Sequence, residues 1–514
     1  MSNLVLQAKT LSKKFVGVQA LDKVSLDIEA GTIHCLAGEN GSGKSTFVKT
    51  ISGIYQPDEG EIVLNGSAYT ALTPVQAMRE GVQVIYQDLS LFPHMSLAEN
   101  IALNRLRLSG GKIVDWKEIW RVAREQTEKI GVDLDLNATV METSMAGRQI
   151  AAICRALSQD AKLLFMDEPT AALTRQEVDR LLKVVQELKN NGLSVVFISH
   201  KLDEIFRISD NITIFRDGKK IGDFESARLD EKSLAYHMTG RDVRYPRYKR
   251  GPGGDSPLFQ VKDLNKEGHY RDVSFRIRRG DILGLIGLLG SGRTELAMSL
   301  FGLNPPDEGV VVFEGETVHI SSPVEANRLG IALLPEDRGA QGLFKERGIR
   351  ENVTSTLLDR LASGLRALDV RKEREIAEEG VKKLRIRAPG IETPVGTLSG
   401  GNAQKVVVAK WSAANPKLFI MDSPTVGIDI GSKAEIYEMV QSFARDGMAV
   451  LFITDELEEL MCNCNRVLVM ANHRIIAELD ENDMAQPGAE RRIADLIGGS
   501  AGKGKSGKKA EVGA

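Results

Sequence analysis

The sequence predicts an α/β protein built from two tandem copies of one domain, each with a helical subdomain inserted. Three observations predict it. Two glycine-rich stretches, "GENGSGKST" (residues 38–46) and "GLLGSGRTE" (287–295), each follow a short apolar run and lead into a helix-like segment. Further landmarks recur in the same order in both halves. Runs such as "AKLLFMD" and "LSVVFIS" are rich in Leu, Val, Ile and Phe and bounded by polar residues, as buried parallel strands are.

The repeat is quantitative. "GVQVIYQ" (81–87) and "GIALLPE" (330–336) lie 249 residues apart, as do Lys44 and Arg293. "LLFMDEPT" (163–170) and "LFIMDSPT" (418–425) lie 255 apart, as do "VVFISH" (195–200) and "VLFITD" (450–455). The six-residue difference reads as one net insertion between the second and third landmarks. Longer amphipathic segments over 88–142 and 341–394 are the expected helical inserts. The expected boundaries are 1–240 for the first domain and 258–498 for the second. An Arg-, Gly- and Pro-rich linker over 241–257 joins them, and a Gly-, Lys- and Ser-rich tail over 499–514 cannot offset its ordering entropy by burial.

Composition agrees with a multidomain globular protein. At 514 residues the chain exceeds one core, and 42% hydrophobic with 27% charged residues is ordinary usage. Lys and Arg number 67 against 70 Asp and Glu, so no general field attracts a polyanion, and nucleic acid is not an expected partner. The four cysteines are too sparse for a zinc site or a disulfide framework, which suggests a reducing compartment. No leader-like start and no run of about 18 apolar residues is visible, so neither export nor membrane spanning is expected.

The motifs carry the chemistry. Gly38, Gly43, Lys44 and Ser45 satisfy the phosphate-loop spacing: backbone N–H groups converge on phosphates, Lys44 reaches the β and γ groups, and the Ser45 hydroxyl ligates Mg²⁺. Glu39, Asn40, Gly41, Ser42 and Thr46 complete that loop. Asp167 ends an apolar strand and suits the Mg²⁺ shell, while Glu168 suits the base that activates water. His200 ends the next strand, where it can contact the γ-phosphate. Gln87 stands at the entrance to the insert, placed to sense Mg²⁺ and nucleotide. "LSGGNAQKVVVAKW" (398–411) sets Ser399, Gly400, Gly401 and Asn402 at a helix start that offers N–H groups to an anion.

Phosphate loop, glutamine loop, LSGG signature, Asp-Glu strand and histidine loop in this order resemble the ATP-binding domain of ABC transporters, in both halves. With "PTAALT" (169–174) and "SPTVGID" (423–429), the fusion is most similar to the ATP-binding subunits of bacterial simple-sugar importers of the ribose, galactose and xylose type. The resemblance implies an α/β phosphate-loop fold, ATP and Mg²⁺ as ligands, and two head-to-tail composite sites. One combines Lys44, Ser45, Gln87, Asp167, Glu168 and His200 with Ser399, Gly400, Gly401, Asn402 and the Asp429 loop. Phe15 resembles the adenine-stacking aromatic of that site. The other combines Gly287, Gly290, Gly292, Arg293, Thr294, Glu336, Asp422, Ser423 and Asp455 with "TSMAGRQ" (143–149), where Ser144 is kept and Ala146 replaces a glycine. This second site is expected not to hydrolyse ATP efficiently, although nucleotide binding there stays open. Partners implied are two integral membrane permease subunits and, through them, a solute-binding protein, with the chain peripheral on the cytoplasmic face of the inner membrane. A tandem ATPase acting on ribosomes or DNA is the alternative, against which stand the short linker, the degenerate site and the absent zinc cysteines; a catalytically silent binder is disfavoured by Glu168 and His200.

Overall fold

In the computed structural model residues 4–108, 114–170, 173, 175–199, 201–241, 247–251, 254–288, 290–362 and 368–503 are described. The chain divides into two compact units, Met1–Val243 with Asp429–Gly431 and Arg244–Ile428 with Ser432–Ala514.

The first unit holds two sheets. A six-stranded sheet runs in the order Lys219–Glu225, Asn211–Arg216, Ile33–Ala37, Ser194–Ile198, Leu163–Asp167, Val82–Ile85. All neighbours in it are parallel except the first pair. Ile33–Ala37 and Ser194–Ile198 are buried throughout, which is why they read as uninterrupted apolar runs rather than alternating ones. Because Asp167 pairs with Ile198 and Leu36 also pairs with Ile198, three strand ends open at one edge, and the loops that follow them meet there. A four-stranded antiparallel sheet, Val18–Glu29, Leu4–Phe15, Glu59–Leu64, Ser67–Tyr69, packs through Leu6, Leu11 and Leu26 with Phe47 and Phe165.

The insert of the first unit comprises Leu97–Leu108, Trp116–Lys129 and Met145–Leu157. Asp115 starts the second of these by accepting the N–H groups of Lys117 and Glu118, and Ile101, Ile119, Val122 and Ile153 form its core. The second unit repeats the plan: its six-stranded sheet runs Ile331–Leu334, Leu418–Asp422, Ala449–Ile453, Ile282–Gly287, Arg466–Ala471, Arg474–Leu479. Its insert carries Ile349–Thr354, Val370–Lys383 and Gly400–Ala413.

The six extra residues of the second half do not enter at one place. Buried Asn100 accepts from the Phe92 N–H at 2.8 Å and donates to the Phe92, Met95 and Ser96 carbonyls. Asn352, 252 residues later, accepts from the Phe344 N–H at 2.8 Å and donates to Phe344, Arg347 and Gly348. Half of the difference is therefore already spent there, in the π-helical turn Arg338–Gly342 capped by the Asp337 carboxylate. The rest lies between Asn352 and Ser399.

Tyr248, inside the segment expected as a linker, is 2% exposed in the core of the second unit, where its hydroxyl donates to Gly280 and its N–H to Cys462. The final helix, Ala489–Lys503, runs past residue 498; of the expected tail, 504–514 lies outside the described residues. Among the described residues no helix is long and apolar enough to cross a membrane.

Candidate functional site: two phosphate loops of unequal chemistry

The first loop springs from Ala37 and turns into the helix Lys44–Ile51. Gly38 has φ 153° and a Cβ there would overlap the Phe215 carbonyl; Gly43 has φ 105° and a Cβ would come 2.5 Å from the Ala20 carbonyl oxygen. Only glycine fits either place. Gly43 caps the helix without any side chain, which leaves the first-turn N–H groups directed at the loop; Gly41, Asn40 and Ser45 are exposed there. Lys44 is buried, and its ammonium donates to the carbonyls of Gly38 and Glu39, both at 2.8 Å. Burial lowers its pKa, opposed by the carboxylates of Glu168 and Asp167.

The acids stand beside it. Ser45 Oγ donates to Asp167 Oδ2 at 3.3 Å. Burial, and then the neighbouring Glu168, raise the Asp167 pKa against the pull of Lys44. Glu168 has φ 48°, and its N–H donates to Ile198 at 3.0 Å. A non-glycine residue in the left-handed region is costly, and such strain gathers at functional positions. His200 lies outside the described residues, but Ser199 and Lys201 on either side of it are held by buried Glu204, which also accepts the Thr170 hydroxyl at 2.6 Å. Gln87 is exposed after Val82–Ile85, and the loop beyond it is gripped by Arg155, which donates to Leu89 and Ser90 at 2.8 and 2.7 Å. Phe15 is 39% exposed, with its ring set edge-on to Tyr55 at 5.1 Å.

The second unit keeps the backbone and changes the groups. Gly287 and Gly292 approach the Met470 and His269 carbonyls as closely as their counterparts do, Gly290 has φ 78°, and Gly292 caps Arg293–Leu300 without a side chain. Arg293, however, does not fold back on its loop. Its Nη1 pairs with Asp455 Oδ1 and donates to the Thr454 carbonyl at 3.2 Å. Burial pushes the Asp422 carboxyl up to about 6, with Thr294 hydrogen-bonding to it, Glu336 raising it further and Arg293 opposing. Ser423 has φ 50° and an N–H donated to Ile453 at 2.9 Å, so the strained turn survives without the carboxylate. Glu295 lies in the first turn of the same helix.

Each signature starts a helix. Ser399 caps Gly400–Ala413 and accepts from the Asn402 side chain at 2.9 Å, leaving Gly400 and Gly401 in the first turn; Ser144 caps Met145–Leu157 and accepts from Gly147 at 3.2 Å. Ala146 is not the sole departure there, since Met145 takes the place of Gly400.

Three features escape sequence reading. Buried Glu204 and Glu459 repeat one contact 255 residues apart, Glu459 accepting the Thr454 and Tyr437 hydroxyls at 2.6 and 2.8 Å. Arg338 donates to Val426 at 2.7 Å and Gly427 at 3.2 Å, tying the glutamine loop to the stretch before Asp429; the first half has Leu89 at that offset. Lys13 binds Asp58 as Lys266 binds Asp307, which sets Gly268 opposite Phe15, so the second half lacks the aromatic.

The family model described as "ABC transporter" matches residues 21–171 and again 270–426. A protein of Pseudomonas syringae pv. tomato named for ribose/galactose/methyl galactoside import ATP-binding is 42% identical over 94% of this chain and 92% of its own length. A ribose import ATP-binding protein of Rubrobacter xylanophilus is 41% identical over 94% and 96%. The crystal structure of a nucleotide-free ATP-binding cassette from an ABC transporter aligns with 45% of this chain and 97% of that one, at TM-score 0.41 and 24% identity. Matched twice by one family model, and by such relatives along nearly its whole length, the chain belongs to the ABC transporter family.

Proposed function

We propose that the chain is the ATP-hydrolysing subunit of an ABC importer for a sugar or sugar-like solute, with one competent and one degenerate ATP site. The observation that carries the reading is the gathering of Lys44, Ser45, Asp167 and Glu168 at one strand edge, against Arg293, Thr294, Asp422 and Ser423 at the other. The names of its relatives support the solute class.

The residues fit their ligands. The tight backbone path that only glycine allows at Gly38 and Gly43, with a helix start that carries no side-chain cap, suits the phosphates of ATP. The adjacent Ser45 hydroxyl and Asp167 carboxylate are hard oxygen donors that suit Mg²⁺. With Gln87 they would hold it, and it would neutralise charge on the transferred phosphoryl group. Lys44 binds the phosphates, Glu168 orients water and takes its proton, and His200 meets the γ-phosphate. Ser399, Gly400, Gly401, Asn402 and the Asp429 loop are the residues proposed for the competent site, and Ser144 and Ala146 those proposed for the degenerate one.

Two permease subunits receive the work at the cytoplasmic face of the membrane, and a solute-binding protein delivers cargo to them. Exposed Phe92 and Phe344, each fixed by a buried asparagine at the start of an insert, support these inserts as the docking elements. The test is Glu168→Gln in the full chain: Mg-ATP binding persists while steady hydrolysis disappears. Turnover at the wild-type rate refutes the base assignment, and co-purification with ribosomes instead of a polytopic membrane protein refutes the importer.

A further inference from the structure

The degenerate loop keeps the backbone cradle that binds a β-phosphate, turns its cation away and changes what would meet a γ-phosphate. Its three glycines retain the cradle, and the helix Arg293–Leu300 opens without a side-chain cap. Ser291, 5% exposed, has a hydroxyl with no hydrogen-bond partner among the described residues, 2.7 Å from where a Gly287 Cβ would lie and therefore on the floor of the loop. Its counterpart Ser42 lies 3.4 Å from the Lys44 ammonium. The orphaned hydroxyl follows from Arg293 having turned away, and a buried unpaired hydroxyl points to a ligand that would satisfy it.

What Arg293 turned toward is the informative part. Asp455 occupies the position of His200, the residue placed to contact the γ-phosphate, and the guanidinium is held between its carboxylate and the Thr454 carbonyl. The cation is thus already matched by an anion at the far end of the pocket. Glu336 replaces a neutral glutamine nearby and is close enough to raise the Asp422 carboxyl. Asp422 and Asp455 thus share one guanidinium, and Glu336 adds a third carboxylate beside Asp422. A terminal phosphate carrying about two charges would add to that side of the balance; the β-phosphate, bound by backbone N–H groups, would not approach Asp455 as closely.

Resting on the proposed function for the placement of the γ-phosphate, we propose that the second phosphate loop is a nucleoside diphosphate site, in which the Arg293–Asp455 pair stands where the terminal phosphate of a triphosphate would sit. Gly268 in place of Phe15 removes the stacking platform, so selectivity there rests on the phosphates. Asp455 is 63% exposed, and solvent limits the discrimination to about tenfold, or about 1.4 kcal/mol.

The experiment uses the full-length Lys44→Ala protein, which disables the first loop, titrated with fluorescent mant-ADP and mant-ATP in the presence of Mg²⁺. Binding that remains favours mant-ADP about tenfold and is lost in the further variant Arg293→Ala/Ser291→Ala. Asp455→His in the Lys44→Ala background tightens mant-ATP and erases the preference. Equal or tighter binding of mant-ATP by Lys44→Ala overturns the proposal, as does the absence of any binding by folded protein. These readouts need no turnover, so loss of the hydrolysis reading shows separately, as an inactive wild-type chain.

Discussion

Replacing Glu204 by glutamine tests how the competent site is held. The carboxylate is 2% exposed; its Oε2 accepts the Thr170 hydroxyl at 2.6 Å and the Ser199 hydroxyl at 3.0 Å, while Lys201 lies 3.1 Å from Oε1. Thr170 follows Glu168 by two residues and Ser199 precedes His200, so one side chain ties the base loop to the histidine loop. Hydrogen bonds to a charged acceptor contribute about 1.5–3 kcal/mol and neutral ones about 1 kcal/mol. Two such bonds weakened to neutral strength amount to a loss of about 2 kcal/mol. The Lys201 pair adds little, because its side chain is 38% exposed and screened. Urea denaturation should show that loss. The larger effect falls on rate: a shift of about 1 Å in reacting groups can cost about 100-fold, so kcat should drop between about 10- and 100-fold. KM should stay within about threefold, since no atom of the phosphate loop bonds Glu204 among the described residues. Ser199→Ala combined with Glu204→Gln should cost less than the two added separately. Wild-type kcat in a Glu204→Gln protein that shows the expected loss of stability would refute the positioning argument.

Four further outcomes are expected. Ser423→Gly, at φ 50°, should raise the stability of the chain by about 1 kcal/mol in urea without lowering hydrolysis; a destabilised protein would mean the left-handed turn carries no strain. Asp281 is fully buried against Arg278 and Arg466, and although burial pushes its carboxyl up, hydrogen bonds from Arg278 and Asn465 with the field of Arg466 hold it below the ordinary value. Its contribution is therefore complete above about pH 3.9 and fades as pH falls through the lowered folded value, while Asp281→Asn should cost about 3 kcal/mol at pH 7; urea midpoints from pH 7 to 3 that do not converge for the two proteins would contradict this. Phe92→Ala and Phe344→Ala should leave hydrolysis by the isolated chain unchanged and abolish its stimulation by membranes containing the permease, so intact stimulation argues against docking at the inserts. Gly43→Ala should weaken nucleotide binding by more than about tenfold, because the added carbon meets the Ala20 carbonyl at 2.5 Å and φ is 105°; unchanged affinity in a filter-binding assay would show that the loop can shift.

What could be read from the sequence was local. Strands such as Ile33–Ala37 announce themselves because both faces are buried, and the phosphate loops because glycine spacing encodes a backbone path. Contacts made between distant segments left no such trace. Glu204 looks like a surface charge on an amphipathic helix until Thr170 and Ser199 are brought to it. Arg338 is one of many arginines, and its role depends on the π-helical turn that carries it toward Val426 and Gly427. Gly268 could not be set against Phe15 before the Lys266–Asp307 pair fixed the register of the shortened hairpin. The insertion read as single divides because Asn352 copies the hydrogen bonds of Asn100 at an offset that neither glycine loop nor acidic strand reveals.

The departures of the second half also constrain one another, which separate substitutions conceal. Arg293 opens the helix after strand Ile282–Gly287 and Asp455 lies on the loop after the parallel strand Ala449–Ile453, and their opposite charges meet. Returning Asp455 alone to histidine removes the anion from a buried guanidinium; returning Arg293 alone to lysine leaves a shorter cation to reach the same carboxylate. Ser423→Glu by itself adds a fourth carboxylate beside Asp422, Glu336 and Asp455, and so makes the pocket less hospitable to the triphosphate it would have to cleave. The turn at Ser423 is already in the conformation that the proposed base, Glu168, takes, so backbone shape is not what is missing. What is missing is charge in the right places. Hydrolysis at the second loop should require Arg293→Lys, Glu336→Gln, Ser423→Glu and Asp455→His together with Met145→Gly and Ala146→Gly, and any smaller set that doubled the rate of ATP turnover would show that these groups act independently.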